Sequence, residues 1–201
     1  MASQSPASLA SRICSEIASI FSKPTQPYAP PLEILVSELS SVAERKARVF
    51  LYGVGREGLM LKALCMRLAH LGLSSHQVFD MNAPPIAGSD LLIASAGPGG
   101  FSTVDAICSV ARSKGGRVLV LTAQPENGSS VKYADVICYV PAQTMADDEE
   151  SGEAAEWRPL LPMGSLYEGA LFVLFEMVVY RIGEVLGESP EAVRSRHTNL
   201  E

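Results

Sequence analysis

The sequence has no excess of basic residues: 16 lysines and arginines are set against 22 aspartates and glutamates, a formal net charge of −6. Proteins that bind nucleic acid or an anionic membrane surface typically carry a basic patch. We therefore expect neither nucleic acid nor a membrane as a partner. A small anionic ligand is compatible with this charge, because it requires only a local positive potential.

The sequence also lacks the spacings of a disulfide scaffold, a zinc site and a membrane helix. Its four cysteines are scattered without a CxxC pair, and its three histidines lie far apart. We therefore predict reduced thiols and no metal site. No apolar run reaches the roughly 18 residues that a spanning helix requires, so we predict no segment that crosses a membrane.

The amino-terminal segment is rich in serine and alanine and carries Arg12, which resembles an organellar transit peptide. It also contains the acidic Glu16, and Leu9, Ile13 and Ile17 follow helical spacing. This pattern favours a structural helix over a targeting peptide. We expect a cytoplasmic protein, with organellar targeting by the amino terminus as the alternative.

Short apolar runs alternate with helical patterns through the middle of the chain. The pattern predicts strands at 49–52, 76–79, 90–94, 118–121 and 136–140, and helices at 32–46, up to 71, at 102–114, at 165–186 and from 189. Nearly continuous apolar strands separated by helices indicate a parallel sheet that is covered on both faces. We therefore predict a doubly wound α/β sandwich with five strands.

A chain of 201 residues suits one domain. We divide the predicted domain 1–201 into amino-terminal helices at 1–47, an α/β core at 48–145, an acidic loop at 146–160 and carboxyl-terminal helices at 161–201. The six acidic residues between 147 and 156 account for the whole net charge, since the rest of the chain carries equal numbers of acidic and basic residues.

Two glycine-rich loops follow the first and third predicted strands, at the carboxyl ends where open α/β sheets bind ligands. Each loop leads into the start of a helix, whose free N–H groups favour an anion. The candidate substrate-binding residues are Gly53, Gly55, Arg56, Glu57, Ser95, Gly97, Gly99, Ser102 and Thr103. Ser102 or Thr103 could cap the helix or bind an oxyanion. Tight turns without a ligand are the simpler interpretation of both loops.

The first loop also matches the dinucleotide-binding pattern GxGxxG, and Asp80 lies 22 residues past Gly58 in the place of a ribose-binding acid. A nucleotide-dependent enzyme is therefore a competing hypothesis. Glu57 disfavours it, because this residue places a carboxylate where the pyrophosphate would lie.

Several blocks of the sequence resemble the sugar isomerase (SIS) domain, and within it the 6-phospho-3-hexuloisomerases. They include VFLYGVGREG at 49–58, MRLAHLGL at 66–73, PMGSLYE at 162–168 and RHTNLE at 196–201. The resemblance implies a flavodoxin-like three-layer α/β/α sandwich and a homo-oligomer, usually a tetramer with active sites at subunit interfaces. It implies a reaction that moves a carbonyl between C3 and C2 of a sugar phosphate through an enediol, without a metal or cofactor.

The resemblance also implies catalytic residues. Glu168 lies at the position of the family's proposed catalytic glutamate, and a carboxylate with a raised pKa is a suitable general base. His197 lies at the position of a terminal histidine that assists ring opening or proton transfer, with Arg194 and Arg196 beside it. The residues alone also allow a simpler interpretation, in which Glu168 favours the helix dipole and His197 lies on a surface tail.

The sequence departs from the family pattern in both loops. Glu57 replaces the serine of GxGRSG, and AGPGGF at 96–101 replaces the typical SGSGET. Each lost hydrogen bond to a charged phosphate is worth about 1.5–3 kcal/mol. A phosphate could still bind through backbone N–H groups if Arg56, Lys62 or a residue of another subunit neutralised Glu57. Two functions stay open: a ketose-phosphate isomerase, or a non-catalytic sugar-binding or regulatory module with a degenerate phosphate site.

Overall fold

The computed structural model describes residues 5–147 and 160–200, in which strands and helices alternate. The strands are β1 (Arg48–Gly53), β2 (Ser74–Gln77), β3 (Leu91–Ser95), β4 (Arg117–Thr122) and β5 (Val136–Tyr139). The helices are α1 (Pro6–Ser19), α2 (Pro31–Glu44), α3 (Gly55–His70), α4 (Ser102–Ser113), α5 (Ser165–Leu186) and α6 (Pro190–Ser195). The acidic loop predicted at 146–160 lies for the most part outside the described residues.

The five strands form one sheet in the order β2-β1-β3-β4-β5, and every neighbouring pair is parallel. The sheet confirms the predicted α/β sandwich. From β1 the chain first adds β2 on one side and then crosses to add β3 on the other. The loops after β1 and β3 therefore lie side by side at the carboxyl edge, where doubly wound sheets form a binding crevice.

The two faces of the sheet contribute alternate strand residues to two separate apolar clusters. On one face Leu51 and Ile93 pack with residues of α2, α3 and α5. On the other face Tyr52 and Ala94 pack with residues of α4, including Val104. This arrangement gives the three layers of the predicted sandwich. The most buried helix is α5, which brings the PMGSLYE block against the carboxyl edge of the sheet.

Two predicted strands are displaced in the structure. The strand expected at 76–79 is Ser74–Gln77, because this edge strand has no fully buried residue and its sequence SSHQ carries no apolar signal. The strand expected at 90–94 begins at Leu91. Asp90 instead turns its carboxylate onto Arg48 at 2.8 Å. The predicted amino-terminal helix is confirmed as α1. Within the described residues, we find no helix with the length and apolarity to cross a bilayer.

Candidate active site

The two glycine-rich loops meet where β1 pairs with β3. The last pair in this register joins Gly53 to Ser95, so the loops leave the sheet at the same level. The first loop turns so tightly that a Cβ on Gly58 would lie 2.4 Å from the Gly53 carbonyl oxygen. Glycine is required there, and the turn places the start of α3 directly over the carboxyl edge.

A cleft of about 280 Å³ opens between the start of α3, the second loop and the start of α5. Its charged side chains are Arg56, Glu57 and Glu168, while Phe101 and Met163 contribute apolar surface. This volume lies near the lower end of the range for small-molecule sites, roughly 300–1,000 Å³. The structure therefore brings Glu168 together with the two charged residues of the first loop, Arg56 and Glu57.

Glu168 lies in the first turn of α5 and borders the cleft. Its Oε2 is 2.9 Å from Arg56 Nε, and 16% of its side chain remains exposed. Burial raises the pKa of Glu168, the Arg56 guanidinium lowers it and the Glu57 carboxylate raises it again, which leaves it above its ordinary value. A carboxylate with a raised pKa at a cleft can accept a proton and return it.

Arg56 joins the start of α3 to the start of α5. Besides its contact with Glu168, its Nη1 donates to Ser165 Oγ at 3.0 Å and its Nη2 donates to the Met163 carbonyl at 2.5 Å. All three guanidinium nitrogens therefore contact protein groups. The arrangement fixes the Glu168 carboxylate and keeps part of its charge neutralised.

Glu57 turns away from Arg56 and into the second loop. Its Oε2 accepts hydrogen bonds from the Ser95 hydroxyl at 2.5 Å and from the Gly97 N–H at 3.0 Å. Burial raises the pKa of Glu57, and these two donors only partly lower it. Phosphate binding was expected only if Arg56, Lys62 or a residue of another subunit neutralised Glu57. Within residues 5–147 and 160–200, neither forms an ion pair with Glu57.

The backbone N–H groups of the second loop are already bonded within the protein. The Ala96 N–H donates to the Leu121 carbonyl and the Gly99 N–H donates to the Ala96 carbonyl, both at 2.9 Å. The Gly97 N–H donates to Glu57, and Pro98 has no N–H group. A phosphate bound through backbone N–H groups would therefore have to use residues of the two loops other than 96–99.

Tyr167 completes the buried network, although sequence reasoning did not select it. Its side chain is 1% exposed and its hydroxyl lies 3.3 Å from Ser95 Oγ. A Cβ on Gly97 would lie 2.8 Å from the Tyr167 ring and 3.0 Å from Glu57 Oε1. Gly97 therefore permits this close approach. The available signal was position, because Tyr167 immediately precedes Glu168 in the PMGSLYE block.

Ser102 and Thr103 are at the start of α4, but both are exposed and neither borders the cleft. The N-cap of α4 is Phe101, without a side-chain cap hydrogen bond. The predicted capping by Ser102 or Thr103 is therefore wrong, because the helix begins one residue earlier than such a cap needs. Gly99 has a positive φ of 100° and turns the loop towards Gly128.

His197 is separated from the cleft in the single chain. Its ring packs on His70 with the ring centres 5.2 Å apart, and His70 is the last residue of α3. Because α3 starts at the cleft with Gly55, a rise of about 1.5 Å per residue puts its far end roughly 22 Å away. Arg196 is bonded to Glu188 and to the His70 carbonyl. One chain therefore does not bring His197 to Glu168.

Two other kinds of site were considered from the sequence, a metal site and a dinucleotide site. Within ranges 5–147 and 160–200, no group of three or more His, Cys, Asp or Glu side chains could hold a metal ion. Asp80, the candidate ribose-binding acid, is exposed beyond the end of β2.

Two relatives of the same name decide the family. The 3-hexulose-6-phosphate isomerase of Bacillus subtilis (strain 168) is 35% identical over 154 residues, which cover 77% of this chain and 80% of the relative. The protein of the same name from Mycobacterium gastri is 32% identical over 166 residues, with 83% and 80% covered. The chain belongs to the 3-hexulose-6-phosphate isomerase family. No family model matches the chain.

The fold of this 3-hexulose-6-phosphate isomerase family member is shared by a solved structure. A hypothetical protein of Methanococcus jannaschii, described as one whose structure infers a molecular function of 3-hexulose-6-phosphate isomerase, superposes with a TM-score of 0.75. The match covers 94% of this chain and 97% of the other at 23% identity. The likeness confirms the predicted sugar isomerase fold.

Proposed function

We propose that this protein is a sugar-phosphate isomerase that moves a keto group between C3 and C2 of a hexulose 6-phosphate. Membership of the 3-hexulose-6-phosphate isomerase family supports the reaction. The observation that carries the proposal is the Glu168 carboxylate, which borders the cleft at the carboxyl edge, has a raised pKa and is held by Arg56 at 2.9 Å.

The proposed reaction requires one base that serves two neighbouring carbon atoms. Glu168 removes the proton from C2 of the 3-ketose, and the electron pair moves towards the C3 carbonyl to give a 2,3-enediolate with its negative charge on O3. The carboxylic acid formed on Glu168 then returns a proton to C3, while a proton passes from O2 to O3. Only protons move, so the reaction as proposed uses no cofactor or metal.

The proposal includes a homo-oligomer, with a tetramer as the expected form, because His197 does not reach the cleft of its own chain. A second copy would supply the His197 ring to this cleft as an assisting acid or base. We further propose that residues 1–201 form one domain and that the protein acts in the cytoplasm.

Glu168→Gln tests the proposed base directly. The amide keeps the size of the side chain but cannot accept the proton, and general-base catalysis is worth about 10²–10⁴ in rate. We expect kcat to fall at least about 100-fold in conversion of 3-hexulose 6-phosphate to fructose 6-phosphate. Glu184→Gln is the matched control, because it changes an exposed glutamate of the same helix. Full activity of Glu168→Gln would contradict the proposal.

The second candidate is a non-catalytic sugar-binding module, which the Glu57 carboxylate in the cleft favours. Its prediction is saturable binding of fructose 6-phosphate without conversion to the 3-ketose. An active wild-type protein whose turnover is lost in Glu168→Gln would exclude this candidate.

A further inference from the structure

The space between the two loops already contains an anion that belongs to the protein. The Glu57 carboxylate accepts hydrogen bonds from the Ser95 hydroxyl and the Gly97 N–H of the second loop. The side chain is 7% exposed and borders the cleft. A ligand that enters the cleft therefore meets a fixed carboxylate, whose hydrogen bonds occupy the Ser95 hydroxyl and the Gly97 N–H.

Within one chain, the charged side chains of the cleft leave this carboxylate without a counter-ion. Arg56 is the basic side chain of the cleft within the described residues, and its nitrogens contact Glu168, Ser165 and Met163. The three charged side chains of the cleft together carry one excess negative charge. A phosphate dianion placed beside Glu57 would be repelled at short range, in a partly desolvated setting where such repulsion is strong.

Residues 96–99 of the second loop also provide no unbonded N–H group for a phosphate. The N–H groups of Ala96, Gly97 and Gly99 are bonded within the protein, and position 98 is proline. Anion sites at glycine-rich loops depend on free N–H groups that point at the ligand. Residues 96–99 therefore bind the Glu57 carboxylate, through the Gly97 N–H, in place of an anion from solution.

The remaining acceptor capacity of Glu57 fits a hydrogen-bond donor. A carboxylate offers about four lone-pair sites, and Glu57 Oε1 has only a long contact of 3.3 Å with the Gly97 N–H. A sugar hydroxyl or an ammonium group can donate to this oxygen, whereas a phosphate dianion cannot.

We propose that Glu57 is a specificity-determining residue, which accepts a hydrogen bond from a hydroxyl or ammonium group of the ligand and keeps phosphate out of the two glycine-rich loops. The inference deepens the proposed function and rests on it for the identity of the ligand as a sugar. The phosphate of a hexulose 6-phosphate would then lie outside this pair of loops and in solvent, without a site to which free phosphate could bind.

Binding of inorganic phosphate tests the inference without any turnover. We expect that phosphate neither raises the Tm of the wild-type protein nor competes with fructose 6-phosphate in calorimetric titration. In Glu57→Ser, which removes the carboxylate and supplies a hydroxyl, we expect saturable stabilisation by phosphate. Glu57→Gln, which keeps the shape, should show a smaller gain. Glu44→Gln is the control, an exposed glutamate at the opposite edge of the sheet, and should behave as wild type.

The ratio of the Kd values for fructose and fructose 6-phosphate gives the second readout. We expect it to shift at least tenfold towards the phosphorylated sugar in Glu57→Ser, and in the same direction in Glu57→Gln. Competition by phosphate in wild type, or the absence of a gain in both variants, would overturn the inference. If neither variant folds, the wild-type competition alone decides. A failure of the proposed function would appear in the turnover assay and not in these binding measurements.

Discussion

A buried carboxylate lies at the amino-terminal edge of the sheet and another at the carboxyl edge, and the two differ in the charged groups around them. At the amino-terminal edge, Asp90 is 1% exposed and accepts hydrogen bonds from Arg48 and from the Ala87 N–H at 2.8–3.2 Å. At the carboxyl edge, Glu57 accepts from Ser95 and Gly97 and has no ion pair with any described basic residue. One carboxylate is paired with a cation, and the other is not.

This difference separates a carboxylate that stabilises the fold from one that borders the candidate cleft. Burial raises the pKa of Asp90, but the hydrogen bonds from Arg48 and Ala87 outweigh it and leave the pKa below its ordinary value. Burial also raises the pKa of Glu57, and there the donors do not compensate. A buried charge without a counter-ion costs stability, and such costs are typical of functional sites.

The largest effect on folding is expected from Asp90→Asn. The substitution leaves Arg48 opposite a neutral amide, and loss of one member of a buried ion pair costs about 3–5 kcal/mol. Because the Arg48 side chain is 30% exposed, we expect the free energy of unfolding to fall by about 3 kcal/mol. Urea unfolding measures this change, while binding of fructose 6-phosphate by the folded fraction should stay the same.

Glu38→Gln is the matched control for this edge. It removes the carboxylate from the Glu38–Arg117 pair, whose side chains are 14% and 45% exposed. Because the arginine of this pair is open to solvent, we expect a loss of about 1 kcal/mol. An equal loss of stability in Asp90→Asn and Glu38→Gln would contradict the assignment of a stabilising role to the buried Asp90–Arg48 pair.

A smaller effect is expected from Arg56→Gln, which removes the cation beside Glu168. Arg56 lowers the pKa of Glu168, so its loss should raise that pKa further and move the acid limb of the pH–rate profile to higher pH. We expect kcat to fall about tenfold, which corresponds to about 1.4 kcal/mol. Arg56→Lys, which keeps the charge, should restore the acid limb in part. An unchanged pH profile in Arg56→Gln would show that Arg56 has only a structural role.

The smallest effect is a difference in how the two edges respond to pH. Folding raises the pKa of Glu57. Its stabilising contribution to the free energy of unfolding is therefore present below the unfolded-state pKa of about 4.3 and is lost as the pH rises through the folded-state pKa. Folding lowers the pKa of Asp90. Its stabilising contribution to the free energy of unfolding is therefore present above the unfolded-state pKa of about 3.9 and is lost as the pH falls through the folded-state pKa.

Urea unfolding between acid and neutral pH therefore sharpens the comparison. As the pH rises towards neutrality, the stability of wild type should fall relative to Glu57→Gln. The free energy of unfolding of wild type should stay above that of Asp90→Asn at neutral pH, and this difference should disappear only in acid. Parallel curves for the two variants would contradict opposite surroundings for the two carboxylates.

The sheet and both loops could be predicted because their signals are local. The apolar run at 49–52, followed at once by GVGREG, marks the end of β1 and the start of α3 without distant information. The edge strand β2 was displaced by two residues in the prediction, since burial is the main signal for a strand and SSHQ is only partly buried.

The orientation of the site residues could not be predicted in the same way. Glu57 reaches its partners Ser95 and Gly97 across 38 and 40 residues of sequence, so the loop sequence alone does not show whether it faces the loop or Arg56. Tyr167 was missed because an apolar helix position predicts packing and not a hydroxyl at Ser95. The place of His197 depends on packing at the far end of α3.

Exchange of the C3 proton of fructose 6-phosphate in D₂O tests the central claim, that Glu168 at the carboxyl edge transfers protons between neighbouring carbons. Proton NMR follows the C3–H signal without a coupling enzyme. We predict that wild-type protein replaces this proton with deuterium and that Glu168→Gln does so at least about 100-fold more slowly. No exchange in wild type, or equal exchange in Glu168→Gln, would contradict it.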